Sequence, residues 1–421
     1  MNRFLTTAAI GMFSAVASPT PIDWPGGAPM HSADAGAALG PNLSGLAVDG
    51  TAGLWAIRDS GSLVHLERSG TGWKLTAGAI AERALHYPGG QGSPDSEAIT
   101  TVAGDDTAIY VAAERNNDAS STSRNSVLRF ETSGSGALTA TREWKLDVIF
   151  KATPANTGVE SLTWIPDSMF ISMGYRDASG KVYSPADYPD HGAGLFASAV
   201  ESRGDIVFLV LRGDGTVTEV GRTATGLDAI MDLSWNSTRQ ELWATCDSHC
   251  KGQAAVLRAS DGTFQVVAIV RPPTGMDGLN DEGFAIVPTC TNGTMLAVWS
   301  DDSATGGTSL REAPLPCDPI APLTATQGAT ASTTSTATTA PTGSAAPATS
   351  ASSAPAGSDA SASPGGTASG STGAANPATT APVSKPATNS SRSVWYVGLG
   401  ALVVSAGAVI FGLRRRHSGR R

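Results

Sequence analysis

Charge is scarce in this sequence, and it is unevenly distributed. Charged residues make up only 15% of the 421 residues, against about 25% in an average soluble domain. Seven basic residues and one acid follow residue 318, so residues 1–318 carry a formal charge of −15, against −9 for the whole chain. An acidic domain of this kind repels phosphate backbones, which argues against a nucleic-acid partner, whereas cations are suitable ligands.

Familiar catalytic motifs and helical periodicity are also missing. The sequence has no Gly-x-Ser-x-Gly nucleophile motif and no His-Glu-x-x-His zinc motif, and its six histidines are scattered. No stretch of the acidic part shows a sustained helical period. The sequence therefore offers no ready-made nucleophile or metalloprotease centre, and its folded part is expected to be all-β.

The two ends of the sequence predict export and a membrane anchor. Residues 1–17 combine one basic residue with an apolar run and end in the small-x-small pattern that signal peptidase accepts. Residues 394–413 carry no charge and are long enough to cross a bilayer. The arginine-rich residues 414–421 place the C-terminus in the cytoplasm. We expect a type I single-pass protein of the cell membrane, with its large domain at the cell surface.

The segment before the predicted transmembrane helix has the composition of a stalk. Residues 319–391 are almost entirely Ala, Thr, Ser, Pro and Gly, which cannot bury enough apolar surface to fold. Residues 21–318 remain as the folded ectodomain. Two alternatives stay open: residues 1–17 could be a helix of the domain, and residues 376–380 loosely resemble a sortase signal, which would mean attachment to the wall.

The four cysteines of the ectodomain are expected to form disulfides, which an exported protein permits. Four cysteines allow three pairings. We favour Cys246–Cys250, which closes a small loop, and Cys290–Cys317, which ties down the last part of the fold. A zinc site around His249 is the alternative for the first pair, but a second pair of ligands is missing.

A repeat within the ectodomain decides the predicted fold. Each unit opens with a short strand preceded by an acidic or small residue, and a second strand with a polar end follows. The openings lie at Leu46, Ala98, Leu162, Leu233 and Phe284. The second strands are predicted at 54–57, 109–113, 170–173, 242–245 and 295–299. Five such antiparallel units predict a β-propeller with five or six blades.

The wide spacing between the third and fourth repeats predicts an insertion at 177–194 and an extra strand pair around 206–220. A sixth blade could be assembled from unmarked strands and the segment 24–43. A β-sandwich is the alternative architecture, but a sandwich has no reason to repeat the acidic opening residue together with the polar strand end.

Acidic residues at the repeat openings are candidate metal ligands. The first strand of each blade lines the channel of a propeller, so equivalent residues form a ring. Here the ring would contain Glu97, Glu160, Asp232 and Glu282, with Gly45 at the fifth place. Converging carboxylates repel one another, and calcium is the natural extracellular ion to relieve the repulsion. The alternative is that each carboxylate accepts hydrogen bonds from backbone amides of the neighbouring blade.

Two arginines near the polar strand ends are candidates for substrate binding. Arg115 and Arg176 follow predicted second strands and could clamp an anionic group bidentately. Arginine beside a metal suits phosphoester chemistry. Solvent-facing turns with local ion pairs are the alternative.

Short motifs in these repeats resemble a known family. The segments 95–99, 113–115, 159–162 and 280–285 are similar to the repeats of the phytase-like, or "esterase-like activity of phytase", propellers over most of residues 41–317. The resemblance implies a propeller and an activity on esters or phosphoesters. This chain lacks an acid in its first repeat and shows no evident general base.

Two functions are therefore expected of the ectodomain. It is either a monomeric binding domain with bound calcium that displays a site for an extracellular ligand or partner, or a calcium-dependent hydrolase of phosphoesters or other small anionic esters.

Overall fold

The computed structural model describes residues 19–321, apart from residues 36–38, 51–52, 79–80, 152 and 277. The predicted signal peptide, transmembrane helix and basic tail, and all but the first three residues of the predicted stalk, lie outside the described residues. Within the described part of the chain, every helix is too short to span a bilayer.

The described chain contains twenty-two strands. In chain order they are β1 (His31–Ser32), β2 (Leu43–Asp49), β3 (Gly53–Arg58), β4 (Ser62–Ser69), β5 (Gly72–Leu75), β6 (Glu82–His86), β7 (Pro94–Thr100), β8 (Ala108–Asn116), β9 (Ser123–Glu131), β10 (Leu138–Thr139), β11 (Arg142–Lys145), β12 (Val159–Pro166), β13 (Gly194–Val200), β14 (Asp205–Leu211), β15 (Val217–Ala224), β16 (Asp232–Asn236), β17 (Glu241–Thr245), β18 (Ala254–Ser260), β19 (Thr263–Val270), β20 (Asp281–Thr291), β21 (Thr294–Asp301) and β22 (Leu310–Pro316). The helical elements are α1 (Asp167–Ser172) and the 3-10 turns Asn117–Ala119, Pro185–Asp187, Ser248–Cys250 and Thr305–Gly307.

The strands form five sheets arranged as the blades of a propeller. From the inside outwards, the blades are β2-β3-β4-β6, β7-β8-β9-β11, β12-β13-β14-β15, β16-β17-β18-β19 and β20-β21-β22-β1, with β5 and β10 as additions to blade 1. The inner strands contact one another in turn, and β20 also contacts β2, so the ring is closed. The fold is an all-β five-bladed propeller, which confirms the predicted class and selects five blades over six.

The N-terminal segment closes this ring. Strand β1 pairs antiparallel with β22, with His31 opposite Glu312, and so supplies the outer strand of blade 5. Ile22 adds a parallel bridge to Val270 at the edge of blade 4. The segment considered for a sixth blade therefore joins the two ends of the ring instead.

Each interface between neighbouring blades holds one hydrophobic core cluster. Between blades 4 and 5, Trp24 from the N-terminal segment packs on Trp243 and Trp299 with ring centroids 5.9 and 5.2 Å apart. Its indole Nε1 donates to the carbonyl of Pro314 at 2.7 Å. Tryptophans on repeat strands thus pack between blades, because alternate residues of each strand face the adjacent sheet.

Blade 3 departs from the sequence prediction. The apolar residues 170–173, predicted as its second strand, belong largely to α1, which buries Met169 and Phe170. The second strand is β13, and the residues of the predicted extra pair form the third and fourth strands, β14 and β15. A short apolar run does not distinguish a strand from a buried helical turn. The insertion therefore spans residues 167–193.

Both predicted disulfides are present. Cys246–Cys250 has a Cα–Cα distance of 5.7 Å and follows β17. Cys290–Cys317 has a Cα–Cα distance of 5.9 Å and joins the end of β20 to the residue after β22. The alternative of a zinc site at the first pair is not supported, since both sulfurs are bonded to each other. Beyond the second disulfide, Ile320 remains buried and its N–H donates to Glu241 at 2.7 Å.

All inner strands run in the same direction, so the propeller has two distinct mouths. We call the face where the inner strands begin the acidic face; it carries Asp95, Glu97 and Glu282. We call the other end the aromatic mouth. It is a cavity of about 610 Å³ whose lining includes Trp164 and Trp235.

Candidate metal-binding site

A β-bulge aims three of the predicted acids away from the normal alternation of their strands. The pairing of β7 with β8 shifts register at Glu97, that of β12 with β13 at Glu160, and that of β20 with β21 at Glu282. A bulged residue is left out of the ladder, and the bulge re-aims its side chain. The three glutamates therefore occupy equivalent places at the start of three inner strands.

These glutamates interact with one another. Burial raises the pKa of Glu97 well above its usual value, and repulsion from Glu160, Asp95 and Glu282 raises it further. The pKa of Glu160 is raised by burial and then by Glu114 and Glu282. Burial also raises the pKa of Glu282. The structure therefore brings three of the four predicted acids close enough to repel one another.

Three carboxylates lie close together, those of Asp95, Glu97 and Glu114. One oxygen atom from each residue lies within 4.8 Å of one oxygen atom of each of the other two. All three side chains are buried. Two oxygens bound across one calcium ion, at about 2.4 Å each, lie at most about 4.8 Å apart. The spacing therefore fits ligands that share one ion.

Glu160 extends this group and lacks a protein partner. It is only 7% exposed, and its carboxylate forms no hydrogen bond or ion pair with any residue that the structure describes. By contrast, Glu97 accepts from Ser44 Oγ at 3.1 Å and Glu114 accepts from the N–H of Gly158 at 2.9 Å. A buried carboxylate without a protein partner is costly, and a proton or a bound cation would relieve that cost at Glu160.

Asp232 is not part of this group. Strand β16 pairs with β17 without a bulge, so Asp232 follows the normal alternation and points between blades. Its Oδ1 accepts from the N–H of Leu233 and its Oδ2 from that of Phe284, each at 2.7 Å. Burial raises its pKa and these backbone donors oppose the rise. Asp232 thus fits the alternative interpretation, in which the carboxylate accepts hydrogen bonds from backbone amides. The three glutamates fit the ring of acids instead.

Gly45, at the bulge of blade 1, shows why the fifth place carries no acid. The pairing of β2 with β3 also shifts register there. A Cβ added to Gly45 would lie 2.6 Å from Ala98 Cα and 2.8 Å from the carbonyl oxygen of Glu97. These contacts are with backbone, so a side chain could not be accommodated by rotation.

Further carboxylates continue across the acidic face. Oδ1 atoms of Asp59, Asp281 and Asp302 are buried without a hydrogen-bond partner among the described residues. Burial, followed by repulsion from Asp59, raises the pKa of Asp302 to about 6. Burial, followed by repulsion from Asp301, raises the pKa of Asp281 to about 8. Negative charge on this face is therefore incompletely balanced.

The two candidate arginines lie at opposite ends of the propeller. Arg115 is on the acidic face, with Nε 2.5 Å from Asp95 Oδ2 and Nη1 3.1 Å from Glu114 Oε1. Arg176 is in the insertion after β12, where its N–H donates to Gly262 in the turn between β18 and β19, at the aromatic end. Because strand directions separate these positions, the two side chains do not form one clamp.

Two members of the carboxylate group, Asp95 and Glu114, are not among the candidate metal ligands predicted from the sequence. Asp95 faces Arg115 across the β7–β8 ladder, and Glu114 lies at a bulge in the pairing of β8 with β9. Burial, opposed by Arg115 and reinforced by Glu114, raises the pKa of Asp95 to about 7. The pairing of β7 with β8, with its register shifts on either side of Ser96, brings these residues beside Glu97, and the sequence gives no signal of it.

The fold is a five-bladed propeller, and the site is a cluster of buried carboxylates at one end of its inner strands. The family model described as "Phytase-like: Esterase-like activity of phytase" matches residues 41–181. The match confirms the family resemblance for blades 1 and 2 and the beginning of blade 3.

Other comparisons add little. A solved structure described as "Crystal structure of Nidogen/Laminin Complex" is 12% identical, with a TM-score of 0.31, and the alignment covers 64% of this chain and 83% of that chain. A likeness at this level carries no functional argument. The search of curated proteins found no match.

Proposed function

We propose that this protein is an exported, membrane-anchored propeller that binds calcium on its acidic face and presents that face to an extracellular ligand or partner. The observation that carries the proposal is the group formed by Asp95, Glu97 and Glu114 together with the unpartnered Glu160. Its donors are all carboxylate oxygens, the type that calcium prefers.

Calcium fits this group better than a proton does. Protonation could neutralise each acid singly, but near neutral pH it would leave part of the group charged because the pKa of Asp95 is raised only to about 7. A divalent ion between several carboxylates neutralises them together. An ion held at the surface end of the inner strands would also offer open coordination positions to an anionic group of a ligand.

Display at the cell surface depends on the segments outside the described residues. The export signal, the Ala/Ser/Thr/Pro-rich stalk and the apolar span at 394–413 support an ectodomain held away from the envelope. Within this arrangement, either mouth of the propeller would be accessible to extracellular molecules.

Thermal unfolding of the full chain tests the cation. We expect calcium, added after treatment with chelator, to raise the melting temperature, with magnesium less effective because it demands a smaller octahedral site. The double variant Glu97→Gln/Glu160→Gln should lose the calcium response, and Asp49→Asn at the aromatic mouth should keep it. An equal calcium response in the double variant would contradict the proposal.

Hydrolysis of phosphoesters or other anionic esters is the second candidate function. It is supported by the family match and by Arg115, the arginine beside the candidate metal ligands. Turnover of a panel of aryl phosphates and aryl carboxylates should then require calcium and should fall at least about tenfold in Arg115→Gln, since a charge-assisted contact is worth more than about 1.4 kcal/mol. Calcium binding without turnover of either class would leave the binding function and reject the hydrolase.

A further inference from the structure

A second cavity lies between blades 2 and 3, at the aromatic end of the molecule. Its volume is about 350 Å³, within the range of about 300–1,000 Å³ that is usual for small-molecule sites. Val102 and Trp164 line both this cavity and the aromatic mouth, so the two are neighbours. One wall is formed by Asp190 to Ala193, the end of the insertion in blade 3.

The insertion is fixed where it meets the cavity. His191 is 8% exposed. Its Nε2 lies 3.1 Å from Asp167 Oδ2, and its Nδ1 is bonded to the carbonyl of Tyr188. Tyr183 also donates to Asp167, at 2.7 Å. Both ring nitrogens of His191 are therefore engaged, and the side chain holds the wall in place.

The cavity contains one arginine that is available to a ligand. Arg129 is fully used, since it pairs bidentately with Asp105 at 2.8 Å and with Glu131 at 2.6 Å. The guanidinium of Arg142 forms no hydrogen bond or ion pair with any residue in the described part of the chain. Its guanidinium lies 5.6 Å from the ring centroid of Trp144. A half-buried guanidinium without an acceptor is unusual in a protein as acidic as this one.

We propose that this cavity binds a small organic anion, with its carboxylate or phosphate group on Arg142 and a flat apolar body against Trp164. The planar fork of arginine matches the oxygens of either group. The half-buried indole of Trp164 supplies an apolar wall next to it. The site is separate from the acidic face and requires no metal.

Asp190 provides a second test of the proposal, in which a substitution should strengthen anion binding instead of weakening it. Its side chain is exposed and lines the same cavity, so its charge repels an anion held by Arg142. Asp190 has a φ of 59°, a left-handed conformation that asparagine also adopts readily. Asp190→Asn should therefore fold normally while removing the repulsion.

Titration of the full chain with 2-naphthoate and 2-naphthyl phosphate, in excess chelator, tests the site. The neutral probe is 2-naphthylmethanol, which also measures nonspecific partitioning. We expect Arg142→Gln to weaken binding of at least one anionic probe about tenfold, as loss of a charge-assisted contact does. Asp190→Asn should strengthen it a fewfold. Preference for one anion identifies the headgroup as carboxylate or phosphate.

Arg203→Gln is the matched control. Arg203 is another half-buried arginine with no ion pair to a described residue, but it lies in the turn between β13 and β14 on the acidic face. Its replacement should leave binding unchanged. Arg142→Lys provides a second variant if Arg142→Gln fails to fold, and it should weaken binding a fewfold. Absence of binding by both anions, equal binding of the neutral probe, or equal affinity in the Arg142 variants would overturn the proposal.

Discussion

The two mouths of the propeller are made by opposite ends of the same strands, yet their electrostatics differ. On the acidic face, burial and mutual repulsion raise the pKa values of Asp95 to about 7 and of Asp302 to about 6. At the aromatic mouth, Asp49 pairs with His65 at 2.7 Å, and this partner lowers its pKa. Buried or half-buried acids occur at both ends.

The difference lies in the partner that each acid has. Asp49 has a histidine, and Asp232 has backbone amides, whereas the bulged glutamates face other carboxylates. Local satisfaction of a carboxylate indicates a structural role, and clustering without satisfaction indicates a ligand site. The comparison therefore separates acids with a structural role from the acids that we propose as calcium ligands.

The largest expected effect concerns Asp232. Asp232→Ala would leave the N–H groups of Leu233 and Phe284 without their acceptor, at about 1–3 kcal/mol for each buried donor. We expect the free energy of unfolding to fall by about 3–5 kcal/mol in total, measured by urea denaturation. Asp49→Ala at the aromatic mouth should cost no more than about 1 kcal/mol, as partly exposed pairs do. Equal losses would contradict the assignment of Asp232 to structure.

The two disulfides allow the stability of the two ends to be compared. Cys290–Cys317 closes a separation of 27 residues near the aromatic mouth, and Cys246–Cys250 a separation of 4 on the acidic face. Loop entropy predicts losses of about 3–4 and about 2 kcal/mol, respectively, when each pair is replaced by alanine. Chemical denaturation of the two double variants measures both losses in the free energy of unfolding. If Cys246–Cys250 contributed the larger loss, loop-closure entropy alone would not explain its contribution.

A smaller effect is expected from pH in the absence of calcium. The pKa of Asp95 rises from 3.8 to about 7 on folding, and that of Asp281 to about 8. The folded state then binds more protons than the unfolded state above about pH 4, so stability is greatest below that value and is lost as pH rises through the folded pKa values. We expect the free energy of unfolding to decrease steadily between about pH 5 and pH 8.

Calcium should reverse this loss, since the ion binds the deprotonated carboxylates. Denaturation curves in chelator at several pH values provide the measurement. Asp95→Asn is the matched variant and should flatten the decrease. A stability that rises with pH in chelator would show that these acids are stabilised by protein partners instead.

The architecture could be predicted because the repeat is visible in the sequence. Alternating strands and turn residues recur five times, with an acid at four of the five openings, and the five blades follow from them. Blade 3 was misassigned at 170–173 because a short apolar run fits both a strand and α1. The sequence did not predict that β1 closes the ring of blades, since its partner β22 lies at the other end of the folded domain's sequence.

The site was predicted in part for a related reason. Glu97, Glu160 and Glu282 were found because each precedes a repeat strand, and Asp232 was grouped with them on the same pattern. A bulge changes the direction of one side chain through a register shift of one residue, which composition and spacing do not reveal. Asp95 and Glu114 join the group through the pairing of β7 with β8, which likewise becomes visible only in three dimensions.

Calorimetric titration of calcium into the chelator-treated full chain at about pH 7.5, where the pKa of about 7 leaves Asp95 largely ionised, tests the central claim most directly. The account predicts saturable binding that Glu160→Gln weakens at least about tenfold, with Asp49→Asn unchanged. It would be contradicted if the wild-type chain bound no calcium, or if Glu160→Gln bound it as tightly as the wild type.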